Sequence, residues 1–222
     1  MLKLFHNYTN SLGLHNLGIS LEIRLRSNTR KIEYKYKMDE ERVKKLVREL
    51  IIEVGEDPTR EGLKETPKRI ASMYKEIFGG YDSDSELSVQ FSEDSDVVIA
   101  RDIQFYSMCE HHMLPFYGKI HIAYSPNGRV FGISKLVRLV EKYSKRLQIQ
   151  ERLTKNIADE LYSQGVKGVV VFADAEHLCM KMRGVRNDAT LSSSAFRGIY
   201  ENKEEKEGIM ALIRKRASNS SF

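Results

Sequence analysis

Lys119-Ile120-His121-Ile122-Ala123-Tyr124-Ser125, running into Pro126-Asn127-Gly128-Arg129 and on to Ile133, decides the fold class. Ile120, Ile122 and Tyr124 recur at every second position, the period of a strand with one face turned to a core. Pro126-Asn127-Gly128-Arg129 reads as the turn of a hairpin that returns through Val130–Ile133. Upstream, Val97–Ala100 predicts a further strand. Downstream, Gly168–Ala173 carries four consecutive apolar residues, the mark of a strand buried on both faces. Glu176–Arg183 is expected to be its antiparallel partner.

Around these strands the period changes to that of helices. After Asp39, a good N-cap residue, Val43, Leu46, Val47, Leu50, Ile51 and Val54 fall on one helical face. Gly55 supplies a left-handed stop. Thr66-Pro67 opens a second helix with the stripe Ile70, Met73, Tyr74, Ile77 and Phe78, ended by Gly79-Gly80. A polar linker, Asp82–Asp96, follows. Ser134 is expected to cap a helix bearing Leu136, Val137, Leu139, Val140 and Tyr143. Another helix carries Leu153, Ile157, Ala158, Leu161 and Tyr162 to a stop at Gly165, and a last one covers about Lys203–Arg216. The class is α+β, with helices clustered at the start and middle and an antiparallel sheet. Residues 1–37 show no sustained period and read as an extension, 38–216 as the folded domain, and 217–222 as a tail. Met38 opens the well-patterned region, which makes an over-long start one reading of the first segment.

The 222 residues, 41% hydrophobic and 30% charged, suit a soluble domain with one sizeable core. No apolar run approaches the ~18 residues of a membrane-spanning helix. The net charge of +5 hints at nucleic acid, but residues 1–37 hold seven basic and two acidic side chains and account for all of it. Residues 38–222 balance at 29 of each sign, so the domain lacks the basic surface that phosphate-backbone binding needs. Any polyanion must be met by a local cluster. Two cysteines in the whole chain point away from a secreted disulfide scaffold and toward a reducing, cytoplasmic setting.

Chemistry concentrates at Cys109-Glu110-His111-His112. Cys-x-x-His lets a thiolate and an imidazole share one metal ion, and those ligand types suit zinc. The other cysteine, Cys179, lies beside His177, so the second half of the chain can supply a third ligand. Three protein ligands with an open fourth position describe a catalytic zinc. Against this stands the plain reading of each cysteine as a small buried hydrophobe. Gln148-Ile149-Gln150-Glu151-Arg152 sits at a helix start. There a carboxylate beside a carboxamide can accept from the N–H edge of a guanine, or merely cap the helix. Lys135, Arg138 and Arg183 lie near turns and helix starts, as a phosphate clamp or as ordinary surface charges.

Three longer stretches narrow these alternatives. Residues 102–118 (Asp102-Ile103-Gln104-Phe105-Tyr106-Ser107-Met108-Cys109-Glu110-His111-His112-Met113-Leu114-Pro115-Phe116-Tyr117-Gly118) resemble the zinc-site signature of the GTP cyclohydrolase I family. Ser144–Thr154 and His177–Val185 resemble its other signatures, and Gly55–Leu63 with Thr66-Pro67-Lys68-Arg69 is also family-like. The resemblance covers about residues 38–216. It implies the tunnelling fold, an antiparallel sheet with helices packed on one side and an N-terminal helical hairpin. Subunits of that fold form five-membered rings that stack into a toroidal decamer, with active sites between subunits. It also implies conversion of GTP to dihydroneopterin triphosphate with loss of formate, the first step of pterin and folate biosynthesis.

On matching positions the resemblance gives zinc to Cys109, His112 and Cys179, and it leaves His111 and His177 for proton transfer rather than ligation. Zinc would make water nucleophilic near neutral pH. His177 would protonate a nitrogen of the guanine imidazole ring. His111 would act as general acid/base while the ribose opens, a task suited to a pKa of ~6.5. Ser134 would assist the later sugar rearrangement. Glu151 and Gln150 would hold the guanine; Lys135, Arg138 and Arg183, with Arg69, would hold the triphosphate. Departures are the unmatched residues 1–37, Ser72 where some bacterial members carry Lys, and Gly208-Ile209 in place of a Phe-Leu pattern. Two other readings are a reductase of a cyano-deazaguanine, on the same fold, and a non-enzymatic module keeping zinc as a clip. The presence of His111, His177, Ser134 and Glu151 together speaks against the second.

Overall fold

The computed structural model describes residues 38–83, 87, 90–93 and 95–214. The extension 1–37 and the tail 217–222 lie outside the described residues. The chain divides into two units between Asp82 and Ser83.

The first unit holds two helices, α1 (Glu40–Glu53) and α2 (Thr66–Ile77). The Asp39 side chain accepts from the Arg42 N–H at 3.0 Å, the cap its position predicts. Gly55 ends the turn after α1 with φ 90°, and the Glu56 N–H returns to the Ile51 carbonyl at 3.0 Å. The two helices are tied by Lys75 to Glu40 at 2.8 Å. Val47, Ile51 and Ala71 are buried. Leu46, Leu50 and Val54, expected on the same buried face, are exposed, because the apolar stripe of α1 is wider than the surface α2 covers. Thr66 is the first residue of α2 rather than its cap, which falls on Glu65.

The second unit is built on a five-stranded sheet. Its strands are β2 (Val98–Cys109), β3 (Pro115–Ser125), β5 (Leu147–Gln148), β6 (Gly168–His177) and β7 (Leu191–Gly198), in the spatial order β5-β2-β3-β6-β7. All neighbours are antiparallel except β2 and β5, which run parallel, so the sheet is not wholly antiparallel. The hairpin expected from Pro126–Arg129 does not form within this sheet. β4 (Arg129–Phe131) leaves β3 and pairs with β1 (Gln90–Ser92), a strand hidden in what reads as a polar linker. The buried Tyr124 hydroxyl accepts from the Phe131 N–H at 2.9 Å and holds that departure. The partner of β6 on its free side is β7, not Glu176–Arg183. β6 itself continues to His177, and Leu178–Lys181 forms a one-turn helix, α5.

Helices cover both faces, not one. α3 (Ile133–Ser144) and α4 (Gln150–Tyr162) send Leu136, Leu139, Val140, Leu153, Ile157 and Leu161 into the main core. From the sheet these meet Ile120, Ile122, Tyr124, Val169, Val171 and Ala173. The intervening residues Ala123 and Val170 face the other way, toward Ile209 and Ile213 of α6 (Lys203–Arg214). The unusual Gly208-Ile209 pair therefore leaves the last helix intact, with Ile209 as one of its anchors. Each fully buried aliphatic side chain contributes about 1.5–3 kcal/mol. Ser134 does not cap α3, which starts a residue earlier behind Gly132. Among the described residues no helix is long and apolar enough to cross a membrane.

One irregularity aims the functional end of the sheet. Ala100 pairs with Ile122, but Ile103 pairs with Ile120, so one extra residue is absorbed in β2. Asp102, at φ 57°, takes the left-handed conformation there, and its N–H is accepted by His121 Nδ1 at 3.3 Å. Before the bulge even-numbered Ala100 faces the main core; after it odd-numbered Ile103, Phe105 and Cys109 do.

Candidate metal centre and active site

Cys109 closes β2, Phe116 lies in β3, and His177 closes β6; because β2 and β6 are both antiparallel to β3, their C-terminal ends lie at the same end of the sheet. Ser107, Phe116 and His177 are directly paired across it. Neighbouring strands stand about 4.8 Å apart, which leaves β2 and β6 roughly 10 Å from each other. The one-turn helix α5 closes that gap by swinging Cys179 back toward Cys109. The ligand atoms of Cys109, His112 and Cys179 lie within 4.8 Å of one another. A tetrahedral zinc with Zn–S bonds of about 2.3 Å has ligand–ligand edges of about 3.8 Å, so this set needs only a small contraction to hold one. Two sulfurs and an imidazole also favour zinc over the oxygen-seeking cations. Neither cysteine is in a disulfide. Burial and the adjacent Cys109 sulfur push the Cys179 thiol upward, a crowding that a cation between them would relieve.

The histidines sit in a tight loop. The Cys109 N–H donates to the Leu114 carbonyl at 2.9 Å and Met113 N–H to the Cys109 carbonyl at 2.8 Å. Met113 pays for that closure with φ 53°, a left-handed conformation costing on the order of 1–3 kcal/mol outside glycine. His111 turns back, with Nδ1 3.8 Å from Cys109 Sγ, while its ring stays exposed. The loop is fastened to α4 by a fork: Arg152 donates to both oxygens of Glu110, at 2.5 and 3.1 Å. The Arg152 guanidinium holds the Glu110 carboxyl below the usual carboxylate range. Sequence reasoning gave this pair no role. Nothing local links residues 42 positions apart; only the parallel pairing of β5 beside Cys109 brings them together.

His177 is buried, and its ring stacks on Phe116 at 4.7 Å between centroids and 5° between planes. Its Nε2 lies 2.9 Å from Gln150 Oε1. Burial lowers its pKa below the ordinary histidine value, with the negative charge of Glu151 pulling the other way. The Gln150 side chain, expected to hold a substrate base, is itself buried and donates to the Ala173 carbonyl at 3.0 Å and the Leu191 carbonyl at 2.8 Å. Its carboxamide is spent inside the protein, which withdraws it from direct substrate contact. Glu151, the next residue, is exposed and lines an open cavity of about 460 Å³ with Lys155, Phe196, Arg197 and Lys206. The first turn of α4 therefore lies between that cavity and His177.

Ser134 and Arg138 are exposed on α3, and Lys135 beside them is half-buried. None of the three shares a hydrogen bond or ion pair with the Cys–His–Cys cluster. Arg183 is exposed just past α5, and its charge favours the thiolate of Cys179. Arg69 is exposed on α2, in the first unit.

The family model of GTP cyclohydrolase I matches residues 43–214. The chain belongs to the GTP cyclohydrolase I family. Relatives carrying the name GTP cyclohydrolase 1 agree. That of Hyperthermus butylicus is 50% identical over 178 residues, covering 79% of this chain and 92% of that one. That of Clostridium kluyveri is 53% identical over 173 residues, covering 76% and 94%, and that of Clostridium perfringens is 50% identical over 182 residues, covering 79% and 98%. The chain is thus an enzyme of the GTP cyclohydrolase I family, and the reductase and non-enzymatic readings fall away. Among solved structures, an archaeosine synthase QueF-Like in the apo form aligns at a TM-score of 0.41 and 16% identity. That alignment covers 48% of this chain and 97% of that one, a likeness too slight to bear on the assignment.

Proposed function

We propose that this enzyme converts GTP to dihydroneopterin triphosphate with release of formate, with residues 38–216 as its catalytic domain. The observation that carries the reading is the convergence of Cys109, His112 and Cys179 beside His111 and a buried, stacked His177. Two waters enter and one leaves again when the rearranged sugar carbonyl condenses with the freed amine to close the new ring, so one is consumed net. Of the two that enter, one adds to the guanine carbon between the two imidazole-ring nitrogens and opens that ring to a formamide; the other releases the carbon as formate. Cys109, His112 and Cys179 would hold a zinc ion, whose Lewis acidity would make water nucleophilic near neutral pH.

The remaining work belongs to this chain's side chains. His177, once protonated, passes a proton to the ring nitrogen that must leave as an amine, and its burial makes that imidazolium a readier donor. His111, exposed at the loop tip, moves protons as the ribose opens, and Ser134 does so in the later rearrangement. Glu151, facing the cavity, accepts the two N–H groups of the guanine edge. Lys135, Arg138 and Arg183, with Arg69, neutralise the triphosphate. From the family to which the chain belongs we infer a site completed between subunits of a stacked pentameric, ring-shaped decamer of the tunnelling fold, working in the cytoplasm on the pterin and folate route.

The test is direct. Zinc-loaded protein given GTP is expected to release formate and a pterin that fluoresces after oxidation, and a chelator should stop both. Cys109→Ala and Cys179→Ala should lose the metal and the activity together. Full activity in either variant overturns the metal assignment.

A further inference from the structure

The carboxamide of Gln150 makes three hydrogen bonds, and their chemistry leaves one arrangement. Its Nε2 lies against two carbonyl oxygens, of Ala173 at 3.0 Å and Leu191 at 2.8 Å. Carbonyl oxygens only accept, so the atom facing them must be the amide nitrogen, with both its hydrogens used. Turning the amide over would set oxygen against two oxygens in a site where Gln150 is 1% exposed, and unpaired buried polar groups are costly. Oε1 is thereby fixed as the atom facing His177 Nε2 at 2.9 Å. An amide oxygen cannot donate, so the hydrogen in that bond belongs to the imidazole.

The plane of the ring is fixed independently. Phe116 is fully buried, pairs with His177 across β3 and β6, and lies parallel to it at 4.7 Å. Within that plane one alternative remains, a half-turn of the imidazole. It would replace Nε2 by a carbon and orphan the Gln150 oxygen. Stacking sets the plane, and Gln150 decides which way round the ring sits in it.

We propose that Gln150 is a positioning residue: it holds neutral His177 as the Nε2–H tautomer, leaving Nδ1 as the nitrogen that exchanges a proton with the substrate. The last clause rests on the proton-transfer role given to His177 above; the tautomer does not. Because Glu151 is the next residue, the same first turn of α4 carries the side chain that reads the base and the one that orients the acid. Seating the substrate against α4 and aiming the proton are then set by one rigid element rather than by two separate loops.

The tautomer is read directly by nitrogen NMR of the full chain, zinc-loaded and labelled with [15N]histidine, at a pH where the ring is neutral. The His177 signals are identified by their loss in His177→Asn. The expected spectrum has a pyrrole-type Nε2 and a pyridine-type Nδ1. The opposite pattern overturns the proposal without touching the proposed reaction, which formate release tests separately. Gln150→Met, similar in size but without an acceptor, should blend the two nitrogen signatures. It should also lower kcat by about 10- to 100-fold, the usual effect of removing a partner that orients a histidine, with KM for GTP nearly constant. A variant that keeps both the parent spectrum and kcat overturns the proposal. Should Gln150→Met fail to fold, the parent spectrum alone decides.

Discussion

Replacing Phe116 by leucine separates packing from catalysis at the centre of the site. Phe116 is fully buried and makes two ring contacts, an edge contact with Phe105 at 5.8 Å and the stack on His177 at 4.7 Å. Each aromatic pair contributes about 0.5–1.5 kcal/mol beyond its buried area, so losing both costs about 1–3 kcal/mol. The smaller side chain leaves some space as well, yet the total should stay below the 3–5 kcal/mol of a Phe→Ala truncation. Against a domain stability of about 5–15 kcal/mol the variant should fold. Urea unfolding should show the loss as a lower midpoint with an unchanged slope. Phe116 supplies no ligand atom to the Cys109, His112 and Cys179 set, so zinc content should hold. With the plane of His177 released, kcat should fall while KM for GTP stays close to the parent value. A variant destabilised by the expected amount but with parent kcat would refute the claim that the stack orients His177. A loss well under 1 kcal/mol would refute the packing argument.

Two further outcomes test other parts of the molecule. His121 accepts the Asp102 N–H through an unprotonated Nδ1, and burial lowers its pKa despite the opposing charges of Asp102 and Asp174, with Lys119 and Arg101 acting alongside burial. Below the unfolded histidine value of ~6.5 the unfolded chain therefore binds the extra proton first, and this contribution to stability, complete above that pH, is lost on acidification. His121→Asn keeps an acceptor near Nδ1 without titrating. Urea midpoints at pH 7 and pH 5 should differ less in that variant than in the parent, and equal differences would sink the idea. Glu151→Gln removes one of two acceptors for the guanine edge. A hydrogen bond to a charged group is worth about 1.5–3 kcal/mol, so KM for GTP should rise by about 10- to 150-fold with a smaller change in kcat; an unchanged KM refutes the assignment.

The sequence by itself determined the local elements and the list of reactive groups. Asp39 before an apolar period makes a helix start, Gly55 makes its end, and Cys-x-x-His brings a thiol and an imidazole close along the chain, because each depends on neighbours within a few residues. Which of the two faces of β2 carries Cys109 was not local. Alternation continued from Ala100 would bury Gln104, Tyr106 and Met108 and leave Cys109 outside; the extra residue at Asp102 reverses that, and only pairing with β3 reveals it. The same holds for the course of β4, whose turn promises a hairpin with β3 but whose partner lies some 40 residues upstream. Gln150 shows the limit most clearly. Beside Glu151 it reads as half of a base-binding pair, yet the carbonyls of Ala173 and Leu191 claim its hydrogens and turn it toward His177. Residue type tells what a side chain can bond, and only the tertiary structure decides which partners reach it first.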